Sequence, residues 1–86
     1  MKQENVFPAT VLTKVIMDAK RTYDENKELI RPLLEAENLV ASGWDVKMSG
    51  KGRYMSINFF ADIPSKEVLT RLYNQLQEID EVRFVL

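Results

Sequence analysis

Apolar and polar residues alternate with period two early in the chain, where Val11, Thr13, Val15 and Met17 interleave with Leu12, Lys14, Ile16 and Asp18. Successive strand side chains point to opposite faces, so this segment, β-branched on both sides, reads as a strand over Val11–Met17. Lys14 in its middle turns one face toward solvent or a partner. After a polar connection, Asp24 is placed to cap a helix, with Glu25 and Glu28 near the positive end of its dipole. Leu29, Ile30, Leu33, Leu34 and Leu39 then share one helical stripe. Pro32 interrupts that stripe, since an interior proline removes a backbone bond and crowds residue 28 at a cost of ~3 kcal/mol. The helix either kinks there or restarts at Pro32, and a single kinked element is the reading adopted.

Ser42-Gly43 reads as a break. Beyond it Trp44, Val46 and Met48 alternate with Asp45 and Lys47, which makes a half-buried second strand. Ser49-Gly50-Lys51-Gly52-Arg53 is a hairpin turn, its glycines supplying positive φ. The third strand, Tyr54 to Ile63, has the apolar face Met55, Ile57, Phe59, Ala61 and Ile63. Tyr54, Ser56, Asn58, Phe60 and Asp62 form its other face. Pro64-Ser65 stops the strand and caps a second helix through Ser65. Val68, Leu69, Leu72, Tyr73, Leu76 and Ile79 recur at helical spacing along it. Glu67 and Arg71 are spaced to pair on its solvent side. Asp80-Glu81 turns the chain into a last strand, Val82 to Leu86.

The order is therefore β-α-β-β-α-β. Two right-handed split crossovers place both helices on one face of a four-stranded antiparallel sheet, the α+β ferredoxin-like sandwich. Residues 1–6 are polar and without periodicity and are expected to fray as a tail, leaving residues 7–86 as one domain. A core this small holds ~0.05–0.15 kcal/mol of stability per residue, so a homodimer is within expectation.

Composition removes more chemistry than any motif adds. The 86 residues contain no cysteine and no histidine, which excludes disulfides, thiol nucleophiles, Cys/His zinc sites and a Ser-His-Asp triad. Twelve basic and 13 acidic side chains leave a formal charge of −1, so no global field draws in nucleic acid or an anionic membrane. No secretory h-region or membrane-length apolar run is present, and the expected compartment is the cytoplasm.

The hairpin is the most chemical-looking segment. Lys47, Lys51 and Arg53 beside glycine amides could cradle a phosphate or carboxylate, although the spacing is not that of a Walker A loop. In the pattern of an RNA-recognition motif the stacking aromatics would fall at Arg53 and Met55, which cannot serve as base platforms. Arg21 and Asn58 are the nominal residues for acyl-phosphate chemistry, but no phosphate loop surrounds Arg21. The uncovered sheet face carries more weight. Leu12, Ile16, Phe60 and Val85 are expected to share it with Lys14, Lys47, Ser56, Asn58 and Arg83, a mixed patch suited to a non-obligate interface.

Phe7-Pro8 opening a strand, Lys14-Val15-Ile16-Met17, Lys51 to Ile57, and the run Leu72-Tyr73-x-x-Leu76-x-x-Ile79-Asp80-x-Val82-Arg83-x-Val85-Leu86 resemble the YbeD-like family of small bacterial proteins. The resemblance implies a ferredoxin-like fold similar to ACT-type regulatory domains, and an association of some members with lipoate synthesis. It departs from that pattern in a longer Ala19–Asn38 segment holding Pro32. Asp18-Ala19-Lys20 also lacks the glycine that amino-acid-binding ACT domains place there. The expectation is a non-catalytic regulatory or adaptor domain, without cofactor, working through a protein partner or a homodimer. Its contact residues would be drawn from Lys14, Lys47, Lys51, Arg53, Tyr54, Phe60 and Arg83. The alternative is a sensor of a small anionic metabolite held near Lys47, Lys51 and Arg53.

Overall fold

The computed structural model describes residues 6–86; the expected N-terminal tail lies outside the described residues except for Val6, which is exposed. Four strands, β1 (Ala9–Asp18), β2 (Ala41–Ser49), β3 (Tyr54–Ile63) and β4 (Val82–Val85), form one sheet in the order β2-β3-β1-β4. Every neighbouring pair is antiparallel. Helices α1 (Tyr23–Ala36) and α2 (Lys66–Gln77) complete the ferredoxin-like β-α-β-β-α-β order.

Alternation along β3 decides which face is core. Met55, Ile57, Phe59, Ala61 and Ile63 are all buried, as are Thr13, Val15 and Met17 opposite them on β1. Ile30 and Leu34 from α1, with Leu72 and Leu76 from α2, close this layer and are themselves buried. Burying a side chain of this size contributes ~1.5–3 kcal/mol.

Several local expectations change. The α1 cap is Thr22 rather than Asp24. Its hydroxyl accepts from the Glu25 amide at 3.1 Å, and the Glu25 carboxylate accepts from the Thr22 amide at 2.9 Å. This capping box satisfies two amides at once, which Asp24, already the second residue of the helix, could not. The helix runs unbroken through Pro32, so the proline does not start it. Pro32 is exposed, which lets water take the Glu28 carbonyl that it leaves unbonded. Arg31 bridges Glu28 at 2.6 Å and Glu35 at 2.9 Å across the same stretch.

Arg71 does not pair with Glu67. It makes a two-pronged contact to Glu37, just past the end of α1, with Nε at 3.0 Å and Nη2 at 2.9 Å from the carboxylate. A planar fork matched to a carboxylate outcompetes the looser pairing one turn along a helix. Hydrogen bonding from Arg71 holds the Glu37 carboxyl below its ordinary value of 4.5.

Ser42-Gly43 is not a break but a bulge inside β2. The register to β3 shifts between Ser42 and Asp45, and Gly43 takes φ +65° there. Extra residues on one strand are accommodated this way, and glycine accepts the left-handed backbone. Asn26 is fully buried, a core position that the apolar stripe did not mark. Its amide Nδ2 donates to the Asp18 carbonyl at 3.0 Å and approaches Met55 Sδ at 3.2 Å, tying the start of α1 to the end of β1. No helix among the described residues is long and apolar enough to cross a membrane.

Candidate interaction face

Because both helices lie on one side of the sheet, the even-numbered side chains of β1 and β3 face outward with no layer of the described chain above them. The register arranges this face in rows. Leu12 sits opposite Phe60, Lys14 opposite Asn58, Ile16 opposite Ser56, and Asp18 opposite Tyr54. On the β2 side, Ser42, Asp45, Lys47 and Ser49 flank Phe60, Asn58, Ser56 and Tyr54 respectively. On the β4 side Phe84 flanks Ile16, and Leu86 exchanges both backbone hydrogen bonds with Lys14.

Large apolar side chains are therefore exposed together. Phe84 is 63% exposed, Leu12 44% and Phe60 42%, far from the near-zero exposure of Phe59 one residue away. Polar residues of the face are ordered: Ser56 Oγ donates to Asn58 Oδ1 at 2.8 Å, and Thr10 Oγ1 to Asp62 Oδ1 at 2.8 Å. Phe60 leans over the β2 bulge, where a Cβ added to Gly43 would stand 2.9 Å from its ring.

One expectation about this face needs correction. Val85 pairs with Val15 and belongs to the core side, so the outward apolar residue of β4 is Phe84. A register shift between Ile16 and Met17 separates Val82 from the regular pairing and reverses the simple count. Arg83 reaches the face as expected, where it forms an ion pair. Its Nε and Nη2 donate to Asp18 at 3.1 and 2.6 Å. The pair buttresses the end of the sheet.

The hairpin forms as its glycines demand. Arg53 N–H donates to the Gly50 carbonyl at 3.2 Å, closing a turn whose central residues Lys51 and Gly52 have φ +58° and +85°. Positive φ at both positions matches the right-handed twist of the joined strands. Lys51 stands at the apex. Tyr54 packs back over Gly50, where an added Cβ would approach its ring to 2.8 Å.

Beside the hairpin a cleft of about 240 Å³ is lined by Asp18, Ala19, Lys20, Gly52, Arg53 and Tyr54. The three cations expected to gather around an anion do not converge there. Arg53 lines the cleft, Lys51 is on the turn outside it, and Lys47 is on the open face. Lys20, from the β1–α1 connection, is the second cation of the cleft, and sequence spacing gave no signal for it. Thus Lys14, Lys47, Tyr54, Phe60 and Arg83 share the open face, while Arg53 and Tyr54 bridge to the cleft. Among the described residues no three acidic, histidine or cysteine side chains are grouped to hold a metal ion.

Solved structures with this architecture are numerous in kind. The solution structure of protein HP0495 from H. pylori superposes with a TM-score of 0.79 at 20% identity, covering 99% of this chain and 88% of that one. The C-terminal domain of the MgtC protein from Mycobacterium tuberculosis gives 0.70 at 13% identity, covering 96% and 89%. The ACT domain from GTP pyrophosphokinase of Chlorobium tepidum gives 0.65 at 14%, covering 91% and 97%. At these identities the likeness establishes the fold alone. Sequence relatives are nearer. A UPF0250 protein of Shewanella piezotolerans is 34% identical over 80 residues, covering 93% of this chain and 88% of the relative. Another from Shewanella halifaxensis is 32% identical over 82 residues, with coverage of 93% and 88%. The model of the family described as "Protein of unknown function (DUF493)" matches residues 2–86. With the YbeD-like run at the C-terminus accounted for by the same relationship, the chain belongs to the DUF493 family.

Proposed function

We propose that this chain is a non-catalytic regulatory or adaptor domain that acts through protein contacts on its open sheet face. The observation that carries the reading is the co-exposure of Leu12, Phe60 and Phe84 on one ordered, uncovered face. Exposed apolar side chains set among charges on one face have the composition of a non-obligate interface. The fold neighbours support a modular role, since two of them are domains of larger proteins, MgtC and GTP pyrophosphokinase.

The test places a photo-crosslinking side chain at Leu12 or at Thr70 on the helix layer, in the otherwise intact protein, in its own cell extract. Discrete adducts are expected from position 12 and not from 70, and Phe60→Ser should abolish them. Phe60 is already half-exposed, so that substitution costs only about 1 kcal/mol of stability. Adducts of equal yield from both positions, or adducts indifferent to Phe60→Ser, would overturn the reading.

A second reading is favoured by the cleft where Lys20 and Arg53 flank Tyr54. It takes the domain as a sensor of a small phosphorylated or carboxylated metabolite. A ligand at a hundred times its dissociation constant adds ~2.7 kcal/mol, which raises the melting midpoint of a domain this small by roughly 10–20 °C. Inorganic phosphate, nucleotides, amino acids and lipoyl or acyl carboxylates form the panel. A shift abolished by Arg53→Ser supports the sensor, and a flat panel rejects it.

A further inference from the structure

The outward residues of three of the four strands read as their own complement, β1 being the exception. Down β2 they run Ser42, Asp45, Lys47, Ser49: neutral, acidic, basic, neutral. Down β3 the matching rows run Phe60, Asn58, Ser56, Tyr54: aromatic, polar, polar, aromatic. Along the β4 edge, Leu86 just past the strand and Phe84 within it occupy the two middle rows. Consider a two-fold axis lying in the face, perpendicular to the strands, between the row of Asn58 and the row of Ser56. A second copy brought over by that axis sets Asp45 against Lys47, Phe60 against Tyr54, Asn58 against Ser56 and Phe84 against Leu86, each pair occurring twice. On β1, Lys14 meets Ile16 and Leu12 meets Asp18, whose charge Arg83 already engages.

We infer that the partner of the open face is a second copy of this chain, docked sheet to sheet about this axis. The inference rests on the open-face reading proposed above and names its occupant. Isologous contacts require a surface complementary to itself, and a face with unrelated charges on its rows would set like against like. The area sets the strength. Four strands spaced ~4.8 Å apart and four rows ~7 Å apart give about 500 Å² per copy. A standard interface buries ~800 Å² per partner, so the dimer is weak and dissociates on dilution.

The charge pattern supplies a test that folding defects cannot imitate. Sedimentation equilibrium of the full chain, up to millimolar concentration, should show reversible monomer–dimer exchange. Asp45→Lys sets lysine against lysine across the axis and Lys47→Asp sets aspartate against aspartate; each should weaken self-association about tenfold or more. The swapped double variant Asp45→Lys/Lys47→Asp should restore it. The two single variants mixed together should form a heterodimer that neither forms alone. Phe84→Ser, at the opposite edge of the sheet, should also weaken the dimer. If Phe84→Ser has no effect while the β2 charges do, the copies pair along the β2 edge and the face-to-face assignment is overturned. A wild-type chain that stays monomeric overturns the second-copy assignment too. The open-face reading then stands or falls separately, on the crosslinking from position 12.

Discussion

Replacing Phe59 with alanine is expected to lower stability by ~3–5 kcal/mol, the range for removing a large side chain from a packed interior. Phe59 is fully buried at the middle of the sheet and stacks on Trp44 with ring centroids 4.6 Å apart and a 31° tilt. Its neighbour across β1 is Thr13, itself buried and too small to fill the space left behind. A chain of this length has only ~4–13 kcal/mol in total, so the variant should be partly unfolded at the temperature where the parent is fully native. The lone tryptophan is the reporter, since Trp44 lies against the deleted ring and its emission follows the loss. Phe60→Ala, one residue along, is the internal control. Its side chain is on the outer face and should cost ~1 kcal/mol. Urea midpoints that differ little between the two variants would contradict the assignment of faces.

That contrast also shows why β3 was legible and other segments were not. Ten residues of clean alternation between glycine and proline leave one register, and every position took its expected face. β4 is four residues long and contains a register shift, so simple alternation through it puts Val85 where Phe84 belongs. The α1 cap was written in the chain as Thr22-x-x-Glu25, but Asp24 is as good a capping residue and masked it. The Arg71–Glu37 contact joins residues 34 apart, and no spacing rule along one helix could reveal it. The same limit applies to the site. Alternation alone marks Lys47 and Phe60 as outward residues. Their partners across the face, and the entry of Lys20 into the cleft, are set by strand order and loop path.

Gly43→Ala joins the fold to the face, and its effect should exceed that of ordinary surface substitutions, which stay within ~0.5 kcal/mol. The left-handed backbone at φ +65° charges a Cβ-bearing residue ~1–2 kcal/mol. The new methyl would also stand 2.9 Å from Phe60 Cδ2, a separation that the ring can relieve only by turning off the bulge. The combined loss should be about 2 kcal/mol, which lowers the melting midpoint by roughly 8–16 °C. Gly52→Ala separates the two causes. Its φ is +85° but nothing lies within 4 Å of an added Cβ, so only the backbone component applies. Gly43→Asn separates them from the other side, because asparagine tolerates the left-handed region yet still brings the Cβ. If the contact matters, both substitutions at 43 shift the Phe60 ring resonances in an NMR spectrum while Gly52→Ala leaves them in place. Equal losses at 43 and 52, with Phe60 unmoved, would mean that the bulge is only a backbone device. A larger loss at 43 with a displaced ring would mean that the bulge in β2 sets the pose of an aromatic on the open face, so that a residue with no side chain shapes the surface through which the domain is proposed to act.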